Sequence, residues 1–167
     1  QTGHGDFSLW GQEMDLERWR ISRLNLFLNS LDGGIEHADT LRAPAFTEGG
    51  ALRRFERIVC HPTSSLKGKG ADWGKSWAPD DPYHRFTWAT PPKKQIESAF
   101  LLHIVASLAD GGKAALILSQ GVLFRSGAEE TIRRRLVEED LLEAVIGLPR
   151  GGFYSGKTKG GAWATVL

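Results

Sequence analysis

Short apolar runs alternate with helical stretches from Leu9 to the end of the chain, and this alternation constrains the fold most. Leu9–Glu13 (Leu-Trp-Gly-Gln-Glu) reads as a strand, Leu16 to Leu31 as a helix, and Ile35 to Asp39 as a second strand. In the helix, Ile21, Leu24, Leu28 and Leu31 share one face, with Phe27 beside them. Asp32-Gly33-Gly34 reads as its stop, because glycine accepts the left-handed cap conformation. Phe55 to Cys60 is the third strand, followed by His61-Pro62. Ile96 to Ala109 is an apolar helix, Asp110-Gly111-Gly112 a turn, and Lys113 to Ser119 a buried strand. Gly127 to Glu139 is a helix with an acidic first turn, and Leu141 to Leu148 and Ala162 to Leu167 are the last two strands.

Strand and helix in alternation predict an α/β sheet, mostly parallel, with right-handed crossovers. No helix separates the last two strands. They should pair as a hairpin, so that the terminal strand runs antiparallel to its neighbours. That feature belongs to class I methyltransferases and is foreign to ordinary dinucleotide-binding Rossmann domains.

Composition narrows the function classes. The chain has 167 residues, 41% hydrophobic and 25% charged, as expected of one ordinary globular domain. No apolar run approaches the roughly 20 residues needed to span a bilayer, and no signal-peptide pattern opens the sequence. Cys60 is the only cysteine, which excludes a disulfide framework and a cysteine-rich zinc site and fits a reducing cytoplasm. His4, His37, His84 and His103 have no metal-ligand spacing with one another. The net charge of +1 gives no bulk attraction to nucleic acid, so any such surface must be local. The stretch from Thr63 to Thr90 is too long for an ordinary connection. It carries Lys67, Lys69 and Lys75 among Trp73, Trp77 and Trp88, with Lys93 and Lys94 just beyond, a mixture that suits phosphate contact and base stacking. A solvated loop over the sheet edge would look the same. Gly-Lys-Gly at 68–70 lacks the spacing and context of a phosphate-binding P-loop.

Six blocks carry a resemblance. They are Leu-Trp-Gly-Gln-Glu (9–13), Arg-Leu-Asn-Leu-Phe-Leu (23–28), Ile-Glu-His-Ala-Asp-Thr-Leu (35–41), Glu-Ser-Ala-Phe-Leu-Leu-His (97–103), Gly-Val-Leu-Phe-Arg-Ser-Gly-Ala-Glu-Glu (121–130) and the run from Ile132 through Ala144-Val-Ile-Gly-Leu-Pro149. In this order and spacing they resemble the M (modification) subunits of type I restriction-modification systems, which are N6-adenine DNA methyltransferases. The resemblance implies a class I methyltransferase sheet and S-adenosylmethionine (SAM) as cofactor. It implies adenine N6 in duplex DNA as acceptor, and work in a complex with a specificity subunit, a second M subunit and a motor-nuclease subunit. Residues 1–167 would form part of the methyltransferase domain. The family's first strand and its Gly-rich loop, which cradles the methionine part of SAM, would precede Gln1; Gly3-His4-Gly5-Asp6 is not that loop.

The same resemblance distributes roles. Glu13, at a strand's carboxyl end, would accept both ribose hydroxyls of SAM, although a nicotinamide dinucleotide would use the same acid. Met14 would lie against the adenine ring, with plain packing as the other reading, and Asp39 would accept from its amino group, with a turn cap as the alternative. His61-Pro62-Thr63-Ser64 stands where the family carries Asn-Pro-Pro-Phe. There an Asn oxygen and a Pro carbonyl draw the adenine amino group toward tetrahedral geometry as it attacks the methyl, and the aromatic ring stacks on the flipped base. Only Pro62 matches; neutral His61 can accept one hydrogen bond, and Ser64 cannot stack. This predicts slow transfer, rescued only by changing His61, Thr63 and Ser64 together, and it keeps open a catalytically inactive scaffold subunit. Phe153 and Tyr154 would face the flipped base.

Overall fold

The computed structural model describes residues 7–62, 80–92 and 95–148, and the backbone of 162–166. The chain forms two compact units, Gln1–Gly50 and Ala51–Leu167.

In the first unit, β1 (Leu9–Glu13), α1 (Leu16–Leu28) and β2 (Gly33–His37) form a β-α-β turn, with β3 (Thr47–Glu48) near its end. Strands β1 and β2 are parallel, and Glu13 pairs with His37 at their carboxyl ends. Asp15 starts α1, its carboxylate accepting from Arg18 N at 3.0 Å. The helix leans on β2 through Trp19, whose Nε1 donates to Ile35 O at 2.7 Å.

The expected apolar stripe of α1 exists but is uncovered: Ile21 is 58% exposed, Leu24 54%, Leu28 66% and Phe27 80%. Trp19, Ser22 and Leu26 are the half-buried positions instead. Periodicity says which residues share a face and is silent about which face is covered. The helix also stops earlier than read. Ser30 takes the left-handed conformation at φ 52°, and Leu31 N donates to Leu26 O at 3.0 Å. The expected glycine stop is thus served by serine, and Gly33 has a different task. A Cβ on Gly33, at φ +140°, would sit 1.7 Å from Leu9 O, so the close approach of β1 and β2 requires glycine there.

The second unit holds β4 (Ala51–Leu52), β5 (Phe55–Cys60), α2 (Ile96–Ser107), β6 (Leu108–Ser119), a 3-10 turn at Gln120–Leu123, α3 (Ala128–Glu138), β7 (Ala144–Gly147) and β8 (Ala162–Val166). The sheet order is β5-β6-β8-β7. β5 and β6 are parallel, and β8 is antiparallel to both β6 and β7. The terminal antiparallel strand therefore stands as expected, inserted between β6 and β7.

Helix α2 supplies the largest share of the core among the described residues. Ile96, Ala99, Leu101, Leu102 and Ile104 are buried, and along β6 Ala114, Leu116 and Leu118 alternate toward the buried face. From α3, Ile132 and Leu136 join them one turn apart. The helix α2 ends at Ser107 and the chain enters β6 at once, earlier than the sequence suggests. Asp110-Gly111-Gly112 forms no separate turn: it lies inside β6 as an irregularity. Phe55 pairs with Leu108 while Arg57 pairs with Lys113, and Gly111 takes φ +69°.

Candidate functional site

In the first unit the carboxyl ends of two adjacent parallel strands bring three expected residues together. Glu13 closes β1, Met14 follows it, and Asp39 lies two residues beyond the end of β2. Glu13 Oε1 accepts from Asp15 N at 2.8 Å, which turns the chain sharply into α1 and holds the carboxyl at the strand end. Met14 is 54% exposed. Asp39 Oδ1 accepts from Leu41 N at 2.9 Å and Arg42 N at 3.2 Å, the arrangement of a turn cap.

Two residues that sequence reasoning passed over build this edge. His37 Nε2 donates to Met14 O at 3.1 Å, tying the β1 end to the β2 end, and its ring lies 5.5 Å from Trp19. The Gln12 amide donates to Ala43 O at 2.7 Å and accepts from Ala45 N at 2.9 Å, which fixes the segment after Asp39. An amide with one donor and one acceptor at opposite ends of the same peptide stretch is invisible to periodicity, since its partners lie more than thirty residues away.

In the second unit β5 delivers His61 and Pro62 at its carboxyl end. His61 is exposed and Pro62 buried. Burial pushes the preceding Cys60 thiol up to about 11, so it stays protonated at neutral pH and is a poor nucleophile. Thr63, Ser64, Lys67, Lys69, Lys75, Lys93, Lys94, Trp73, Trp77, Phe153 and Tyr154 lie outside the described residues. Trp88 is described, and Arg135 packs over its ring at 5.7 Å.

Asp81, Arg85 and His103 form a buried polar cluster that sequence reading also missed. Arg85 reaches Asp81 through Nη2 at 2.7 Å and Nε at 3.0 Å, with both side chains 2% exposed. The guanidinium lies 4.9 Å from the Phe86 ring and 5.5 Å from Tyr83. Burial raises the Asp81 carboxyl, but hydrogen bonds and charge from Arg85 outweigh it and hold the group below its usual range. Arg85 Nη1 stands 3.2 Å from His103 Nδ1. Arginine can only donate, so Nδ1 is the acceptor and the imidazole is neutral. Burial, and then the charge of Arg85, push His103 down to about 4, against a smaller pull from Asp81.

Residues 1–164 match the family model described as N-6 DNA Methylase. The chain belongs to this family. It is 31% identical over 153 residues to the type I restriction enzyme MpnII methylase subunit of Mycoplasma pneumoniae, a match over 87% of this chain and 28% of that protein. Against the HindI methylase subunit of Haemophilus influenzae it is 28% identical over 166 residues, covering 98% of this chain and 35% of the relative. The crystal structure of the type I restriction-modification methyltransferase subunit from Streptococcus thermophilus superposes with a TM-score of 0.81 at 32% identity, over 96% of this chain and 33% of that one. The chain thus spans roughly a third of the length of the relatives it matches.

The fold is accordingly that of class I, SAM-dependent methyltransferases. In open α/β sheets ligands bind outside the carboxyl ends of the strands, and within the first unit those are the ends of β1 and β2. Among the described residues no helix is long and apolar enough to cross a membrane.

Proposed function

We propose that this chain is the cofactor- and base-handling part of an adenine-N6 DNA methyltransferase acting within a type I restriction-modification complex. The observation that carries the reading is the placement of Glu13 and Asp39 at adjoining carboxyl ends of the parallel β1–β2 pair. A carboxylate offers about four lone-pair sites, and Glu13 uses one for Asp15 N. It retains capacity for two ribose hydroxyls. Asp39, half-buried just past β2, accepts from the adenine amino group, and the Met14 thioether meets the adenine face. The residues present therefore fit SAM, which supplies an electrophilic methyl when bound.

His61 and the Pro62 carbonyl accept from the target amino group and hold it for attack. Thr63 and Ser64 complete that loop, Phe153 and Tyr154 face the flipped base, and Lys67 and Lys69 contact phosphate. The relatives are subunits of type I restriction systems, and the partners in this reading are duplex DNA, a specificity subunit, a second copy of the M subunit and a motor-nuclease subunit. Tritiated-methyl transfer from SAM to duplex DNA by the whole protein in its complex tests the reading. Label on adenine N6 supports it; label elsewhere, or SAM binding unaffected by Glu13→Ala, overturns it. Exposed His61 in place of an amide favours a second reading, an inactive scaffold, which the same assay would establish by assembly without transfer.

A further inference from the structure

The connection between β6 and α3 is tied down more firmly than a strand-to-helix joint requires. Glu97 and Ser98 are neighbours in the first turn of α2, and both are 2% exposed. Glu97 accepts from Ser119 N at 2.9 Å and from Ser119 Oγ at 2.5 Å, where the chain leaves β6. Ser98 Oγ donates to Glu129 at 3.2 Å, and the same Glu129 oxygen pairs with Arg125 at 3.1 Å. The Arg125 guanidinium lies against Gly121, where a Cβ would fall 2.1 Å from Nη2. Arg133 Nη1 donates to the carbonyls of Val122 and Arg125, both at 2.8 Å.

Two carboxylates are thus desolvated to fix one short connection, and burying charge is costly even when it is paired. Of its apolar side chains, this braced connection shows Phe124 to solvent, 70% exposed. The connection leaves the carboxyl end of β6, and β6 is the parallel neighbour of β5, with Cys60 opposite Leu116. His61 and Pro62 follow Cys60, so they leave the sheet at the same carboxyl edge, from the strand next to β6. Ser64, where an aromatic ring would otherwise stack on the target base, has none to offer.

We propose that the Gln120–Arg125 connection is a second wall of the acceptor site, that Phe124 gives the target nucleobase the aromatic face Ser64 lacks, and that Glu97 and Glu129 are its positioning residues. The proposal rests on the methyltransferase reading and names the residue that holds the flipped base. Base-aromatic stacking is worth about ten- to a hundredfold in affinity. A rigid, exposed ring provides it without first having to be ordered.

The test uses the whole protein in its complex and two duplexes: one with 2-aminopurine at the target position, which has no N6 amino group and reports extrusion by its fluorescence, and one with adenine there, on which methyl transfer is measured. Phe124→Ala should lower the 2-aminopurine signal and kcat/KM for DNA by about ten- to a hundredfold and leave SAM affinity unchanged. Phe124→Trp should retain kcat/KM. Glu97→Ala should reproduce the Phe124→Ala loss, and the double variant should be no worse than Glu97→Ala alone. Phe124→Ala with wild-type signal and wild-type kcat/KM overturns the proposal. If the wild type extrudes 2-aminopurine without methylating DNA, the transferase reading fails while Phe124 is still judged by the signal. A wild type that neither extrudes the base nor transfers a methyl group overturns both.

Discussion

At the scale of single residues the decisive contacts are those in which one side chain has two possible duties. Asp39 caps a turn through Oδ1 and is also assigned to the cofactor's adenine. Asp39→Asn keeps an acceptor for the cap but places an NH2 where the adenine amino group must donate. It should therefore melt like wild type and bind SAM about ten- to a hundredfold more weakly, the range for a hydrogen bond to a charged group; calorimetric titration of the whole protein checks this. Wild-type affinity would reduce Asp39 to a cap. His103 is held neutral beside Arg85, with its pKa pushed down to about 4. An unfolded histidine titrates near 6.5. Between those values the unfolded chain binds a proton that the folded chain does not, so stability falls as pH drops from about 6.5 to about 4 and levels off below. The full effect is at most about 3 kcal/mol. Asp81 acts in a lower window: its contribution is present above the ordinary carboxylate pKa of about 3.9 and is lost as pH falls through its depressed folded value. Urea unfolding at pH 7 and pH 5 should show the first slope, and His103→Gln should flatten it.

At the scale of elements, Gly33 shows how much of the candidate site depends on backbone fit. Alanine there would drive Cβ into the Leu9 carbonyl at 1.7 Å and force a left-handed φ of +140° on an ordinary residue. Gly33→Ala should cost about 1–3 kcal/mol from strain alone, loosen the β1–β2 pairing, and weaken SAM binding with it, since Glu13 closes β1 and Asp39 follows β2 by two residues. Denaturant unfolding together with SAM titration measures both effects. Intact SAM affinity in a destabilised Gly33→Ala would separate strand pairing from the site. The sequence marks Gly33 only as part of a helix stop, because a Gly-Gly pair advertises conformational freedom without saying which neighbour needs it. The strands and their carboxyl-end residues Glu13 and His61 were legible from short apolar runs, and the antiparallel end of the sheet from a missing helix. The uncovered stripe of α1 and the irregularity inside β6 were not, since both depend on what packs against an element. The Glu97–Ser119 and Ser98–Glu129 bonds were hidden for a related reason: carboxylates in a helix's first turn look like ordinary dipole partners until tertiary packing buries them.

At the scale of the whole molecule, the residues proposed for the cofactor and those proposed for the acceptor belong to different units, Glu13 and Asp39 to the first and His61, Pro62 and Phe124 to the second. Substitutions in the first should therefore raise KM for SAM, and those in the second should act on DNA and on the rate of transfer. The acceptor chemistry can be narrowed further. An adenine N6 lone pair is delocalised into the ring, and a positioned hydrogen-bond acceptor that favours its tetrahedral form is worth on the order of a hundred- to a thousandfold in rate. His61 can offer one imidazole nitrogen from an exposed position, without the paired acceptor and donor of an amide. Were Phe153 and Tyr154 the only rings facing the base, with Ser64 offering none, three changes would be needed to restore fast transfer. Phe124 alters that expectation, because the aromatic face is then already in place and only the acceptor is missing. His61→Asn alone should accelerate single-turnover methyl transfer by the greater part of that hundred- to thousandfold, and adding Thr63→Pro and Ser64→Phe should add less than about tenfold. Phe124→Ala placed on His61→Asn should remove most of the gain, and adding Ser64→Phe should then recover it by restoring a ring. A His61→Asn variant as slow as wild type, rescued only by the triple change, would return the stacking role to position 64. Fast transfer by the natural sequence would mean that His61 and Pro62 already orient the amino group.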